Sequence, residues 1–170
     1  MKIVIANSVG VDTNGYHMVH VPSRWSLGVK NHTNCSYYPW ELAYTSSLLK
    51  RETNHEIKFL DGVLNAWDFD TYIQRLREEK PNWLVMESST RTIREDLRLA
   101  EAIKKEFKTK VIMTGQHPMA NPEEVLKVAD FVCVVEYEFA VLDLVRGKDP
   151  KNIPGVYPNS RGKLPDINRL

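Results

Sequence analysis

Three short polar segments carry the residues whose chemistry suggests a function for this chain. They are Ser88, Ser89 and Thr90, then Gly115, Gln116 and His117, and then Glu136 and Tyr137. Their hydroxyl and amide groups both donate and accept hydrogen bonds, and the glycine lets the backbone approach a large flat ligand. No nucleophile with an acid–base partner stands among them. The segments therefore predict a neutral binding shelf for a large polar ligand and no catalytic residue.

Each polar segment lies at the end of a short apolar run that has the length of a β-strand. Such runs, rich in β-branched residues, predict buried strands. They are Lys2–Ala6, His55–Asp61, Asn82–Ser88, Lys110–Thr114 and Asp130–Val135. The polar segments are then placed at the ends of the third, fourth and fifth strands.

Apolar residues at helical spacing fill the intervals between these strands. The clearest helix is predicted from Ile93 to Phe107, and others begin near Pro39, Asp68 and Pro122. A last helix is predicted from Glu138 to Arg146. Proline suits a first helical turn because its missing N–H has no partner there.

Two helix starts carry the spacing of a capping box, in which two side chains each satisfy a backbone N–H of the other position. Thr92 with Glu95 opens the helix at Ile93, and Asn121 with Glu124 opens the helix at Pro122. We therefore expect a side-chain cap at both positions.

The alternation of strand and helix predicts an α/β fold with right-handed crossovers. We expect a doubly wound five-stranded parallel sheet in the order 2-1-3-4-5, flavodoxin-like or Rossmann-like, with helices on both faces. Ligands of such sheets bind beyond the carboxyl ends of the strands, where the winding direction reverses. This places the polar segments at the expected binding edge.

Two regions depart from the alternation. Asn7–Tyr38 is a long loop without clear periodicity, and the tail from residue 148 contains four prolines with no continuous helix. We predict a domain over 1–147 and a C-terminal hairpin and linker over 148–170, which leads to a further domain. His17, His20, His32 and Cys35 lie in the loop, but their spacing matches no standard template and we expect no metal.

Composition excludes several classes of function. The 23 lysines and arginines against 22 acidic residues give a formal net charge of +1, so no global field attracts nucleic acid or anionic lipid. The apolar runs are strand-sized and the N-terminus lacks a secretory apolar region, so we expect a cytoplasmic protein without a membrane span. Two distant cysteines cannot build a disulfide framework, a zinc site or an iron–sulfur cluster.

The sequence lacks the residues that form several known binding sites of α/β proteins. The strand ends read Asn7-Ser8, Ser88-Ser89 and Glu136, which excludes the carboxylate and lysine set of phosphoacceptor receivers. The sequence has neither G-x-G-x-x-G nor G-x-x-x-x-G-K-[ST], so dinucleotide and triphosphate cradles are excluded. The long loop after the first strand also disfavours a flavodoxin-type phosphate site.

A series of short motifs carries a resemblance to a known family. In order they are Tyr38–Tyr44, Asn54–Ile57 with Leu60-Asp61, Pro81–Val85, Gly115–Pro118 with Pro122–Leu126, Asp130–Val132 with Glu136–Glu138, and Ile153–Gly155. The series resembles the N-terminal cobalamin-binding domain of cobalamin-dependent radical S-adenosylmethionine enzymes.

The resemblance implies a base-off cobalamin held by residues at the strand ends. Ser88, Ser89, Thr90, Gly115, Gln116 and His117 would contact its nucleotide tail, and Glu136 and Tyr137 would flank its corrin. It also implies a radical catalytic domain in cis, often a methyltransferase, which carries the S-adenosylmethionine and the [4Fe-4S] cluster. This chain would not be catalytic alone.

Departures from the family leave alternatives open. D-x-H-x-x-G, which supplies a histidine to cobalt in other cobalamin proteins, is absent, as is the radical-domain C-x-x-x-C-x-x-C. Thr114 and Val135 stand where the family commonly has glycine, and Val135 could crowd the corrin. One alternative is a cofactor-free domain of the same descent that serves substrate positioning or assembly. Another is a free-standing small-molecule binder, and His117 could equally be a capping residue.

Overall fold

The computed structural model describes residues 1–21, 25–31, 37–134 and 136–159. Its strands are β1 Lys2–Ala6, β2 His17–Val21, β3 Trp25–Val29, β4 Glu56–Leu60, β5 Trp83–Glu87, β6 Lys110–Thr114 and β7 Phe131–Val132. Its helices are α1 Trp40–Glu52, α2 Phe69–Glu79, α3 Ile93–Phe107, α4 Gln116–Ala120, α5 Pro122–Val125 and α6 Glu138–Val145, followed by a 3₁₀ turn at Pro150–Asn152.

The main sheet has five strands in the order β4-β1-β5-β6-β7, and its strand pairs are parallel. When β2 and β3 are set aside, this is the order 2-1-3-4-5 along the chain. The α/β doubly wound fold with that order is therefore confirmed.

Side-chain alternation along the strands builds a core on each face of the sheet. On β5, Leu84 and Met86 belong to the core beneath α2 and α3, while Trp83 and Val85 belong to the core beneath α1 and α6. Strands covered on both faces have apolar residues at successive positions, which explains why the sequence shows short runs without a polar alternation.

The long loop predicted over Asn7–Tyr38 contains an antiparallel hairpin, β2–β3, so its lack of regular structure was a wrong expectation. A period-2 pattern is hard to see because Met18 and Val19 are adjacent apolar residues. The segment that leads into this hairpin contacts the segment after β5 through Arg91, whose Nη2 lies 2.9 Å from Asp12 Oδ2. A Cβ at Gly28 would collide with Arg91 Nη2, so a larger residue there would displace the flexible Arg91 side chain.

The regular structure near the carboxyl terminus is shorter than predicted. Helix α5 ends at Val125, β7 covers only two residues, and Val135 lies outside the described residues. The chain then returns along β7, where Val134 N–H donates to Gly155 O at 2.8 Å and Tyr157 N–H donates to Val132 O at 2.9 Å. The second arm of the predicted C-terminal hairpin lies outside the described residues.

Neither predicted capping box forms, since the N-caps of α3 and α5 make no side-chain cap hydrogen bond. The Thr92 hydroxyl lies instead 3.0 Å from Ser8 Oγ, inside a buried polar cluster. The Glu95 carboxylate accepts a hydrogen bond from Arg98. Thr92 has thus taken a tertiary partner, whereas Glu95 pairs within its own helix.

We expect Asp68→Ala to lower the free energy of unfolding by about 1 kcal/mol, because Asp68 is a functioning N-cap. Its Oδ1 accepts from Thr71 N–H at 2.9 Å at the start of α2. Urea unfolding measures the change, with Asn121→Ala as the control because Asn121 is an N-cap without a side-chain bond. Equal losses in the two variants would contradict this assignment.

Within the residues that the structure describes, no helix has the length and apolar character needed to cross a bilayer.

Candidate functional site

The carboxyl ends of β1, β4, β5 and β6 meet at one edge of the sheet. The registers place Ala6 beside Leu60 of β4 and Met86 of β5, and Glu87 beside Thr114 of β6. The residues that follow these strands therefore form one polar edge, as the sequence predicted for β5 and β6. The winding direction of the sheet reverses between β1 and β5.

A buried cluster around Asp96 ties the ends of β1 and β5 to helix α3. Ser88 Oγ donates to Asp96 Oδ2 at 2.6 Å, and Val9 N–H donates to Oδ1 at 3.1 Å. Ser8 Oγ lies 2.9 Å from both Asp96 Oδ2 and Glu87 O. Burial raises the pKa of Asp96 to about 6, and the hydrogen bonds from Ser88, Thr92, Val9 and Ser8 oppose the shift.

This cluster turns two of the predicted binding residues inward. Ser88 and Ser89 are 2% and 5% exposed, and the Ser88 hydroxyl bonds the Asp96 carboxylate. Thr90 is exposed. Ser88 and Ser89 therefore lie in the interior, and only Thr90 of this segment presents its hydroxyl at the surface.

The segment after β6 is the start of a helix and not a loop, because α4 begins at Gln116. Gly115 adopts φ 99° and ψ −174°, a conformation that is essentially restricted to glycine. A Cβ there would lie 2.5 Å from Ser88 O. The close approach that this glycine permits is thus to the neighbouring strand end.

His117 joins the two predicted segments. It is 9% exposed, with Nδ1 3.3 Å from Thr90 Oγ1 and Nε2 3.3 Å from Glu124 Oε2. The structure therefore brings Thr90 and His117 together at the edge, with half-buried Gln116 beside them in the chain.

Glu136 and Tyr137 separate in space. Glu136 is exposed, whereas Tyr137 is fully buried and its hydroxyl donates to Glu87 Oε2 at 3.1 Å. Glu87 is itself 8% exposed at the end of β5. The buried Tyr137 hydroxyl therefore orients the Glu87 carboxylate.

Sequence reasoning missed five polar residues of this edge: Asn7, Ser8, Asp61, Glu87 and Asp96. Asn7 Nδ2 donates to Asp61 Oδ1 at 3.0 Å, which links the ends of β1 and β4. For the first four of these residues, the available signal was a position at the end of a strand or just after it. Asp96 gave a second signal, since it falls on the apolar face of α3.

Two cavities lie outside the predicted residues. One of about 540 Å³ is bounded by α1 and the end of β4, and another of about 480 Å³ lies beside α5 and Tyr157. Neither is lined by the Ser88–Thr90 or Gly115–His117 segments. Among the described residues no group of three or more His, Cys, Asp or Glu is arranged to hold a metal ion, and His32 and Cys35 lie outside them.

Solved structures with a similar fold come from two enzymes. OxsB, a cobalamin-dependent S-adenosylmethionine radical enzyme with aqua-cobalamin and S-adenosylmethionine bound, matches with a TM-score of 0.68 and 13% identity. TsrM from Kitasatospora setae, a radical S-adenosylmethionine methyltransferase with cobalamin and a [4Fe-4S] cluster bound, matches with a TM-score of 0.62 and 14% identity. Each match covers 91% of this chain but only 20% of the OxsB chain and 28% of the TsrM chain.

No curated protein matches this sequence. The family model of the B12 binding domain matches residues 30–145, which include the β5 and β6 ends and their polar segments. Because that match spans well over half of the chain, the protein belongs to the B12-binding domain family.

Proposed function

We propose that this domain binds cobalamin along the carboxyl edge of its sheet, at the ends of β5 and β6. The observation that carries the proposal is the meeting of Thr90 and His117 at that edge, within the part of the chain that matches the B12-binding family. The corrin ring bears amide side chains, so a site for it needs neutral donors and acceptors. Bound cobalamin supplies cobalt chemistry, including methyl transfer.

The residues present at the edge fit such a ligand. The Thr90 hydroxyl and the Gln116 amide are neutral groups that both donate and accept, and neither lies in the buried cluster. Together with Ser88, Ser89, Gly115 and His117 they would hold the nucleotide tail. Ser88 and Ser89 would do so by shaping the segment from within. Glu136 would flank the corrin from the surface, and Tyr137 would act through Glu87.

We further propose that cobalamin is held base-off, with no protein histidine in the D-x-H-x-x-G pattern on cobalt, because that pattern is absent from the sequence. Electron paramagnetic resonance of the cobalt(II) form tests this point. Nitrogen superhyperfine structure is expected to be missing, and its presence would show a nitrogen ligand on cobalt.

Titration of the chain with hydroxocobalamin, followed by size exclusion, tests the main proposal. We expect the visible absorption to change saturably and the chromophore to elute with the protein. The double variant Thr90→Ala/Gln116→Ala is expected to bind about thirtyfold more weakly, since it loses two hydrogen bonds worth about 1 kcal/mol each. Glu101→Ala, on the exposed side of α3, is the control. Equal affinity of both variants would remove these residues from the site.

The parent protein is proposed to be a cobalamin-dependent radical S-adenosylmethionine enzyme, with a methyltransferase as the expected class. The similar enzymes are named for radical chemistry or methyl transfer, and this chain corresponds to between a fifth and a third of each. The S-adenosylmethionine and [4Fe-4S] sites would lie in a catalytic domain beyond a boundary near residue 147. The coding region downstream is then expected to encode C-x-x-x-C-x-x-C, and its absence would contradict a parent of this class.

A second candidate function is a cofactor-free domain that positions substrate or mediates assembly. The observation that favours it is the Asp96 cluster, because the Ser8 and Ser88 hydroxyls already lie within hydrogen-bonding distance of a protein carboxylate. Under this function no chromophore is retained with the chain at tens of micromolar protein. The hydroxocobalamin titration therefore separates the two candidates.

A further inference from the structure

The cavity of about 540 Å³ has the lining of a small-molecule site, and it lies at the β4 end of the carboxyl edge, where neither Thr90 nor His117 lines it. Its volume falls in the usual range for ligand pockets, about 300 to 1,000 Å³. Aromatic and aliphatic side chains form most of the lining, and they are Tyr38, Pro39, Ala43, Phe59, Leu60, Leu64 and Trp67. A flat apolar body is the shape that such walls accommodate.

A buried carboxylate lies in the wall without a cationic partner. Asp61 is 7% exposed, and its Oδ1 accepts from Asn7 Nδ2 at 3.0 Å and from Leu64 N–H at 2.9 Å. No ion pair reaches Asp61 among the described residues. Burial raises the pKa of Asp61, and the hydrogen bonds from Leu64, Asn7 and Val63 oppose this shift. A buried anion with amide donors only is stabilised further by a cation.

A second polar group, Ser46, lies in the wall of the same cavity. Ser46 on α1 is 6% exposed and lines the cavity. Its hydroxyl makes no side-chain hydrogen bond within the part of the chain that the structure describes. The neighbouring Thr45 shows the alternative, because its hydroxyl donates to Glu41 O at 2.8 Å. The Ser46 hydroxyl is not among the buried polar atoms that lack a partner, so solvent reaches it through the cavity, and a polar atom of a ligand can take the place of that solvent.

We propose that this cavity binds a flat aromatic molecule that carries a cationic nitrogen group. The aromatic body lies among Phe59, Trp67 and Tyr38, the cationic group meets Asp61, and a further polar atom reaches Ser46. The site goes beyond the cobalamin proposal and does not depend on it. Lys50, which is exposed in the lining, offers the competing possibility of an anionic ligand.

Nuclear magnetic resonance of the ¹⁵N-labelled chain tests the site with two probes of the same size and opposite charge, benzamidine and benzoate. Benzamidine is expected to shift the Trp67 indole N–H, the Leu64 amide and the Asn65 side-chain amide saturably. Benzoate is expected to bind about tenfold more weakly or not at all. Equal binding of the two probes, or no saturable shift with benzamidine, overturns the proposal.

Two variants locate the binding and one serves as a control. Asp61→Asn is expected to weaken benzamidine about tenfold, whereas Asp70→Asn, which removes an exposed carboxylate from α2, leaves the affinity unchanged. Ala43→Leu fills the cavity from α1 without touching Asp61 and is expected to abolish binding in a chain whose spectrum stays dispersed. Retained binding in Ala43→Leu, or equal affinity of Asp61→Asn and Asp70→Asn, overturns the site. Cobalamin affinity, measured in parallel, stays unchanged in Ala43→Leu.

Discussion

Gly115→Ala is expected to lower the free energy of unfolding by about 3 kcal/mol. Gly115 sits at φ 99° and ψ −174°, where a side chain is strained whatever the surrounding space. The added Cβ would also lie 2.5 Å from Ser88 O and 2.9 Å from Glu87 Cγ. Because a backbone carbonyl cannot turn aside as a flexible side chain can, the ends of β5 and β6 must separate.

Gly147→Ala is the matched control, since Gly147 has φ 82° with nothing within 4 Å of its added Cβ. It should show only the conformational cost, about 1 kcal/mol. Urea unfolding followed by tryptophan fluorescence measures both variants. If the two lose the same stability, the contact between Gly115 and Ser88 has no energetic role, and the close approach of β5 and β6 does not constrain the edge.

The difference in unfolding free energy between the wild type and Asp96→Asn is expected to change by about 3 kcal/mol across the pH interval in which Asp96 titrates. The pKa of Asp96 is about 6 in the folded protein, against 3.8 for a free aspartate side chain. Between these values the native state binds more protons than the unfolded state. The stabilising effect is therefore complete below about pH 4 and is lost as the pH rises through 6. The wild type gains stability over Asp96→Asn as the pH falls across this interval.

Asp68→Asn provides a control of opposite sign. Hydrogen bonds from the Thr71 N–H and hydroxyl lower the pKa of Asp68, so its contribution is present above the unfolded pKa and is lost as the pH falls. Urea unfolding at several pH values between about 2 and 7 compares both variants with the wild type, so that the range covers the loss of the Asp68 contribution below 3.8 as well as the Asp96 interval. A difference between wild type and Asp96→Asn that stays constant over this range would contradict the raised pKa.

The two expected effects have one physical origin. Gly115 brings β6 against Ser88, and Ser88 in turn bonds the Asp96 carboxylate beneath it. A change at either residue therefore acts on the segment between β5 and α3 that ends at the exposed Thr90. Preorganisation of this segment is the contribution that the buried cluster makes to the proposed cobalamin site.

Local patterns were sufficient for the architecture of this protein. Short apolar runs such as Trp83–Glu87 identify strands buried on both faces, and the helical spacing from Ile93 to Phe107 gives the bounds of α3. Alternation of the two, together with the handedness of crossovers, leaves few possible strand orders. Asp68 was also predictable as a cap, because its partner Thr71 is three residues away.

Side-chain roles at the edge were less accessible from the sequence. Thr92 has capping-box spacing, yet its hydroxyl joins Ser8, which is 84 positions away in the chain. Tyr137 is predicted to flank the corrin together with Glu136, and the structure places it in the core with its hydroxyl on Glu87. In each case the side chain bonds a residue that is distant in the chain. Local sequence propensity carries no information about such a distant partner.

The sequence alone thus determined the α/β class and the sheet order, and with them the edge at which we propose that a ligand binds, since all of these follow from the periodicity and alternation of local segments. Tertiary structure alone decided which hydroxyls face inward, where the hairpin after β1 lies, and that Ser46 and Asp61 share a cavity. These features depend on side chains that meet across the sheet from strands and helices far apart in the chain. Burial and hydrogen bonding among such groups are fixed only when the elements pack together.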